Sequence, residues 1–173
     1  MEPGQINIKI RIAVPGEAAA VARVLYESFA AYESLYTRKA FVATTPGVAE
    51  INDRIEQGTV WIALCNNRIA GTVSILSSGE GVYIRSMAVI PPERGKGLGK
   101  ALLEHVFELA LTNNYPLLRL NTTTFLTEAI CLYESLGFVQ KGYEDLHGTP
   151  LIKMIKELDH ITSNKMTKND YAN

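Results

Sequence analysis

The chain has 173 residues and a formal net charge of −1, and 47% of its residues are hydrophobic. This length suffices for one domain with a sizeable core. The near-neutral charge gives no general reason to expect nucleic acid or an anionic membrane as a partner.

The cysteines and the hydropathy of the chain indicate the state of its thiols and its cellular location. Cys65 and Cys131 are far apart and form no CxxC pair, so we predict buried free thiols rather than a disulfide scaffold or a zinc site. The N-terminal residues show no basic segment followed by an apolar run, and no stretch approaches the roughly 20 apolar residues of a membrane span. We therefore expect a cytoplasmic protein with no bound metal, no membrane partner and no nucleic-acid partner.

Hydrophobic periodicity predicts the elements of the N-terminal third. Isoleucines alternate with polar residues over 6–12, as is typical of a strand with one buried face. Residues 17–32 carry apolar side chains at helical spacing, whereas residues 33–45 fit no single pattern. A shorter helix after residue 46 is predicted to bury Val48, Ile51 and Ile55.

The rest of the chain alternates between the two periods. The predicted elements, in chain order, are strands over 59–65, 69–76 and 82–90, a helix over 99–113, a strand over 117–122, a helix over 128–136, and a hairpin of 138–143 and 151–155. The order β-α-α-β-β-β-α-β-α-β-β predicts one α+β domain with a mixed sheet over residues 1–158. The polar residues 159–173 lack periodicity and are expected to form a flexible tail.

The most informative segment is the turn Arg94-Gly95-Lys96-Gly97-Leu98-Gly99, between the strand that ends at Ile90 and the helix that begins near Gly99. Glycine lets backbone amides approach a ligand closely, and the first amides of a helix have no intrahelical partner. Together with the cations Arg94, Lys96 and Lys100, these amides predict a pyrophosphate site, the alternative being a turn without a ligand.

Two common phosphate motifs do not fit this turn. A G-x-G-x-x-G fingerprint fails from Gly95, where the sixth residue is Lys100, and from Gly97, where it is Leu102. A Walker A loop fails because Arg94 stands at its first glycine and Ala101 follows the lysine. The ligand is therefore expected to be another phosphate compound.

The turn resembles the acetyl-CoA motif [QR]-x-x-G-x-[GA] of the GCN5-related N-acetyltransferase (GNAT) superfamily. The preceding segment 87–91 resembles that family's strand leading into the loop, and Leu132-Tyr133-Glu134-Ser135-Leu136-Gly137-Phe138 resembles its LYxxxGF signature. Both motifs occur in order, one helix and one strand apart. The likeness extends over most of residues 6–158.

The resemblance implies a mostly antiparallel mixed sheet, flanked by helices, whose fourth and fifth strands splay apart. Those strands would be 82–90 and 117–122, with pantetheine between them, paired to backbone groups around Met87 and Val89. The pyrophosphate would lie on amides from Gly95 to Lys100. The implied acetyl-CoA site comprises Met87, Ala88, Val89, Arg94, Gly95, Lys96, Gly97, Leu98, Gly99 and Lys100.

The family reaction is a direct attack of a substrate amine on the thioester in a ternary complex. Developing negative charge on the thioester oxygen needs a hydrogen-bond donor, for which we expect a backbone amide near Val89. The leaving thiolate needs a proton, and Tyr133 matches the family's tyrosine for this role. The alternative for Tyr133 is a core tyrosine on an apolar helix face.

The general base cannot be carried over from the family. Where some members have a glutamate eleven residues before the motif arginine, this chain has Tyr83; where others have one twelve residues before the motif tyrosine, it has Asn121. Leu126 also replaces the family's frequent asparagine seven residues before that tyrosine. Tyr83 and Asn121 remain candidate substrate contacts, and Tyr83, or Glu80 through water, a candidate base.

We therefore expect an N-acetyltransferase that acts on the primary amine of a small molecule or peptide, with a homodimer as a possible assembly. The alternative is a non-catalytic acyl-CoA-binding or sensory module, in keeping with the missing carboxylates. A different nucleotide-binding protein is disfavoured by the failed fingerprints. Without charged or metal-ligating partners, His105 is expected on a helix surface and His147 in a hairpin loop.

Overall fold

The computed structural model describes residues 7–159 of the chain. Ile6 and residues 160–173, which include nearly all of the predicted tail, lie outside the described residues. None of the helices within residues 7–159 is long and apolar enough to cross a bilayer.

Within residues 7–159 the seven predicted strands occur in the predicted order, whereas five α-helices are present, one more than predicted; the additional helix lies in the stretch 33–45, which fits no single pattern. The strands are β1 (Ile8–Ile12), β2 (Val60–Cys65), β3 (Arg68–Ser78), β4 (Gly81–Val89), β5 (Leu117–Thr123), β6 (Val139–Leu146) and β7 (Thr149–Glu157). The helices are α1 (Ala18–Phe29), α2 (Arg38–Thr44), α3 (Val48–Glu56), α4 (Leu98–Thr112) and α5 (Thr127–Ser135). Short 3₁₀ helices cover Ala30–Leu35 and Pro91–Glu93.

All strands form one sheet in the order β1-β2-β3-β4-β5-β7-β6. Every neighbouring pair is antiparallel except β4 and β5, which are parallel. That parallel pairing runs only from Val82 opposite Leu118 to Ile84 opposite Leu120. Beyond Ile84, β4 pairs with β3 alone, so the predicted divergence of the fourth and fifth strands is confirmed.

An irregularity in β4 marks the point of divergence. The register with β3 shifts between Thr72, which pairs with Ala88, and Ser74, which pairs with Arg85. Two residues of β4 therefore face one residue of β3, and the first of them, Ser86, has a φ of +49°. A bulge of this kind bends a strand and strengthens its twist, which turns the end of β4 away from β5.

Helices cover both faces of the sheet and bury its two apolar sides. On one face, α4 contributes Leu98, Leu102 and Val106 to the larger core cluster. On the other face, α1 and α3 form a second cluster that includes Val24 and Ile51. The apolar stripes predicted for these helices are thus the surfaces that bury the sheet.

Three expectations about burial are wrong. Val48 is exposed because it is the first residue of α3, and the stripe covered by α1 begins one turn later. Cys131 is exposed on α5, whereas Cys65 is buried as predicted. His105 is partly buried, with its ring centroid 5.9 Å from that of Trp61 on β2, rather than on an open helix surface. His147 lies exposed in the β6–β7 turn, as predicted.

The β3–β4 turn contains a glycine that sets the start of the parallel pairing. Gly81 has a φ of +137°, and a Cβ there would lie 2.5 Å from the carbonyl oxygen of Leu117. We expect Gly81→Ala to lower the free energy of unfolding by about 2–4 kcal/mol, because backbone atoms must move. Urea unfolding beside Gly79→Ala, where a Cβ meets nothing within 4 Å, tests this; equal stability of the two variants would contradict it.

Candidate active site

A cavity of about 660 Å³ lies where β4 and β5 diverge. Its lining includes the glycine turn, most of β4, the facing part of β5, one side of α5 and the segment that follows α1. The two sequence motifs, although separated by a helix and a strand, therefore open onto one space.

The glycine turn forms the start of α4. Gly95 and Gly97 have φ of +74° and +90°, so both occupy the left-handed region that side chains disfavour. Gly97 is the N-cap and α4 begins without a side-chain cap. Ala101 donates the first intrahelical hydrogen bond, to Gly97, which leaves the amides of residues 98–100 without a partner inside the helix.

Glycine at position 99 is explained by close packing and not by an unusual backbone conformation. A Cβ at Gly99 would lie 3.2 Å from Leu132 Cδ2 and 3.5 Å from Met87 Cε. The missing side chain lets the first turn of α4 approach both β4 and α5. The free amides are thereby held close to the helix that carries Tyr133.

The three cationic side chains of the turn make different contacts. Arg94 donates from Nε to the carbonyl of Val89 at 3.1 Å and from Nη2 to the carbonyl of Ser28 at 2.8 Å. Lys96 Nζ donates to Glu93 at 2.8 Å and does not line the cavity, whereas the largely exposed Lys100 does. Arg94 thus braces the backbone, and the amides with Lys100 provide the positive potential.

The end of β4 presents a free edge to the cavity. Met87, Ala88 and Val89 all line it, and β5 pairs with none of them. Met87 and Val89 pack toward α4, whereas Ala88 belongs to the core beneath α1 and α3. An unpaired strand edge leaves backbone N–H and C=O groups available to a ligand.

Tyr133 lies on α5 with 8% of its surface exposed and lines the cavity. Its ring packs edge-to-face against Phe138, with 5.9 Å between centroids. Burial, with a smaller contribution from Tyr36, raises the pKa of Tyr133 to about 12. The hydroxyl therefore keeps its proton throughout the neutral range.

The two candidate substrate contacts, Tyr83 and Asn121, both line the cavity. Burial, and then the charge of Glu144, raise the pKa of Tyr83. Asn121 Nδ2 donates to Glu144 at 2.7 Å. Glu80 is 84% exposed at its side chain, 3.8 Å from Arg119, and is not part of the cavity wall.

Comparisons with known proteins agree with this geometry. A family model described as the acetyltransferase (GNAT) domain matches residues 56–140. The uncharacterized N-acetyltransferase YjgM of Escherichia coli K12 is 30% identical over 148 residues, covering 80% of this chain and 88% of that protein. The chain belongs to the GNAT acetyltransferase family. It is therefore an acetyltransferase by family, and the cavity occupies the cleft between the diverging strands of a GNAT sheet.

Other GNAT relatives match over a shorter span. N-acetylaspartate synthetases of Xenopus tropicalis and Homo sapiens are 38% and 37% identical over 92 residues. These alignments cover 52% of this chain but 34% and 30% of the synthetases. The chain therefore spans about a third of the length of these relatives.

Solved GNAT structures share the fold. The PaiA N-acetyltransferase from Thermoplasma acidophilum, in complex with coenzyme A, superposes with a TM-score of 0.74 at 17% identity, covering 88% of this chain and 99% of that one. YncA from Salmonella typhimurium, with acetyl-CoA, gives a TM-score of 0.67 at 23% identity, covering 92% and 98%. At these identities the likeness establishes the architecture alone.

Sequence reasoning missed two arginines in the wall of the GNAT cleft. Arg54, on α3, is 6% exposed and donates from Nη1 to Ser86 Oγ at 2.8 Å and from Nη2 to Glu50. Arg85, on β4, has a buried Nε with no hydrogen-bond partner among residues 7–159. The alternation of side chains along β4 puts Arg85 on the same face as Tyr83, and this signal could have identified it. No pattern in the sequence near Arg54 indicates that it contacts β4.

The raised pKa of Tyr133 predicts a specific loss of stability in alkali. Because the folded-state pKa is about 12 and the ordinary value is 10, this tyrosine contributes stability below pH 10 that is lost as pH rises through 12. We expect the wild-type free energy of unfolding to fall more steeply between pH 9 and 11.5 than that of Tyr133→Phe, with a difference of about 2 kcal/mol at pH 11.5. Urea unfolding with Tyr143→Phe, at an exposed tyrosine, provides the control, and equal slopes would contradict the prediction.

Proposed function

We propose that this protein transfers the acetyl group of acetyl-CoA to a primary amine of a small molecule or peptide. One observation carries the proposal: the uncapped start of α4, whose first three amides have no partner inside the helix, and the side chain of Tyr133 line the same cavity. Relatives named N-acetyltransferases and N-acetylaspartate synthetases support an amine acceptor.

Donor binding would use the backbone more than side chains. The residues fit a pyrophosphate, because positive φ at Gly95 and Gly97 exposes amides and no side chain caps the helix. Lys100 adds a cation at the same helix end. The free edge of β4 at Met87 and Val89 would pair with the amides of pantetheine, so the thioester would lie in the cleft.

The reaction then needs three groups around the thioester. The amine nitrogen attacks the carbonyl carbon, a C–N bond forms and the C–S bond breaks. A backbone N–H near Val89 would stabilise the negative charge on the oxygen. Tyr133 would donate its proton to the leaving sulfur and regain one from solvent. The nitrogen of the neutral amine loses its extra proton to water, which balances the proton that Tyr133 regains, so the products are an amide and a free thiol.

The acceptor amine must enter without its ammonium proton. Tyr83 has a raised pKa and holds its own proton at neutral pH, which favours a hydrogen-bonding role over that of a base. The guanidinium groups of Arg54 and Arg85 line the same cavity. Positive charge nearby lowers the pKa of an ammonium, which supports release of the proton to water.

A binding titration followed by a turnover assay tests the proposal. Acetyl-CoA titrated into the protein by calorimetry should bind, and a panel of primary amines should then release free thiol from it. Binding without turnover on any amine would favour the alternative, a non-catalytic acyl-CoA-binding module. Absence of binding at near-millimolar acetyl-CoA would overturn the proposal.

A further inference from the structure

We propose that the acceptor of this enzyme carries a carboxylate, which Arg85 and Arg54 bind in the cleft, so that the substrate class is an amino acid rather than a simple amine. The inference rests on the proposed function and deepens it.

Both arginines lie on the acceptor side of the cavity. Tyr83 and Arg85 are two residues apart on β4, so their side chains share a face of the sheet, the one that α1 and α3 cover. Arg54 reaches that face from α3 and is held there by Ser86, the residue at the bulge. Both guanidinium groups therefore border the cavity on the face opposite α4.

Among the charged side chains around the two arginines, Arg85 is the cation without an ion-pair partner within residues 7–159. Arg54 pairs with Glu50, Arg119 with Glu80 at 3.8 Å, and Glu144 with Lys153 at 2.7 Å. None of the ion pairs within residues 7–159 includes Arg85. The local carboxylates are thus already paired with other cations, and Arg85 has no direct ion-pair partner among the described residues, although the charge of Glu50 acts on it from a distance.

The proximity of Arg54 and Arg85 is electrostatically unfavourable when no anion is bound. Burial, and then the charge of Arg54, lower the pKa of Arg85, so the two guanidinium groups repel each other in a partly desolvated cavity. A buried charge without a partner costs free energy. A ligand carboxylate bound beside Arg85 would offset this repulsion.

A carboxylate suits the chemistry of this site. The planar guanidinium fork binds a carboxylate by donating two parallel hydrogen bonds. Arg85 and Met87 flank Ser86 at the bulge in β4, and both line the cavity. A carboxylate bound at Arg85 would therefore lie in the same cleft as the proposed thioester position.

Matched acceptors test the inference by the rate of thiol release. A panel of amino acids, each beside the amine that lacks only its α-carboxylate, is assayed with acetyl-CoA. Aspartate, alanine, β-alanine and ethylamine form a set in which each carboxylate can be removed separately. We expect a preference for the carboxylate-bearing partner of about 10- to 100-fold in kcat/KM, the loss that one charge-assisted contact causes. Equal or better turnover of the neutral partners would overturn the inference.

Variants assign the preference to the arginine. Arg85→Gln should raise the KM for amino acids by at least about tenfold more than the KM for the matched amines without carboxylate, with partial recovery in Arg85→Lys. Arg119→Gln is the matched control, because it removes a guanidinium 5.7 Å from the Tyr83 ring but outside the cavity lining. An equal loss on both acceptor classes in Arg85→Gln would contradict an anion-binding role.

A second readout separates this inference from the proposed function. The amino acids and their matched amines are titrated by calorimetry into the protein with and without coenzyme A. If no amine is acetylated, the proposed catalysis fails, yet binding of the amino acid that Arg85→Gln abolishes would still support the subsite. Absence of such binding in both titrations, or binding that Arg85→Gln leaves unchanged, would overturn the subsite.

Discussion

Replacing Gly97 by valine is expected to weaken acetyl-CoA binding by about 10²- to 10⁴-fold. The φ of +90° at Gly97 orients the first amides of α4, and a β-branched residue would turn this backbone toward negative φ. Loss of two hydrogen bonds to a charged group, at about 1.5–3 kcal/mol each, gives a change of that size. Isothermal calorimetry with acetyl-CoA measures it.

Gly16→Val provides a matched control for backbone strain. Gly16 has a φ of +92°, nearly that of Gly97, and a Cβ there meets nothing within 4 Å. It lies in the turn between β1 and α1, outside the cavity lining. Both variants should lose similar stability, but only Gly97→Val should lose affinity. Unchanged acetyl-CoA binding by folded Gly97→Val would place the phosphates elsewhere. Gly99 is a poorer target, because its substitution would also disturb Leu132.

Removing the hydroxyl of Tyr133 is expected to reduce kcat by roughly 10²- to 10⁴-fold with little change in acetyl-CoA affinity. The side chain is buried against Phe138, so phenylalanine preserves the packing and removes only the proton donor. Because the pKa of Tyr133 is about 12, the wild-type donor should remain protonated and active as pH rises from 7 to 10. Thiol release measured at saturating acetyl-CoA across that range tests both statements.

Tyr143→Phe is the matched control for the loss of a phenol. Tyr143 lies on β6, is 68% exposed and does not line the cavity. Its kcat should equal that of the wild type. A Tyr133→Phe enzyme with near wild-type kcat would show that the thiolate leaves without this donor, and the hydroxyl would then have only a structural role.

The sequence predicted those parts of the fold that depend on local pattern. All seven strands of the described residues and four of their five α-helices follow from the hydrophobic period and the turn residues. The cofactor turn was predicted for the same reason, since glycine spacing and a following helix are local features. Its ligand contacts, like the roles of Tyr83 and Asn121, stay predictions.

The parts that could not be predicted depend on contacts between distant segments. Helix α2 falls in a stretch without a clear pattern, and Thr37 at its start bonds to Thr149 and His147, more than a hundred residues away. The partial burial of His105 is decided by Trp61 on another strand. Arg54 reaches the cleft only because α3 packs across the bulge in β4. None of these contacts leaves a signal in the neighbouring sequence.

The hydrogen bonds of Arg94 have a consequence for how two substrates are bound. One guanidinium joins the end of β4, through Val89, to the end of α1, through Ser28. The segment after Ser28 carries Phe29 and Tyr32, which line the opposite wall of the cavity. We therefore expect a shift of the glycine turn on phosphate binding to be transmitted through Arg94 to the cavity wall at Phe29 and Tyr32. Bound acetyl-CoA would then change the affinity for the acceptor amine. Bound acceptor would change the affinity for acetyl-CoA by the same factor, because such a linkage is reciprocal.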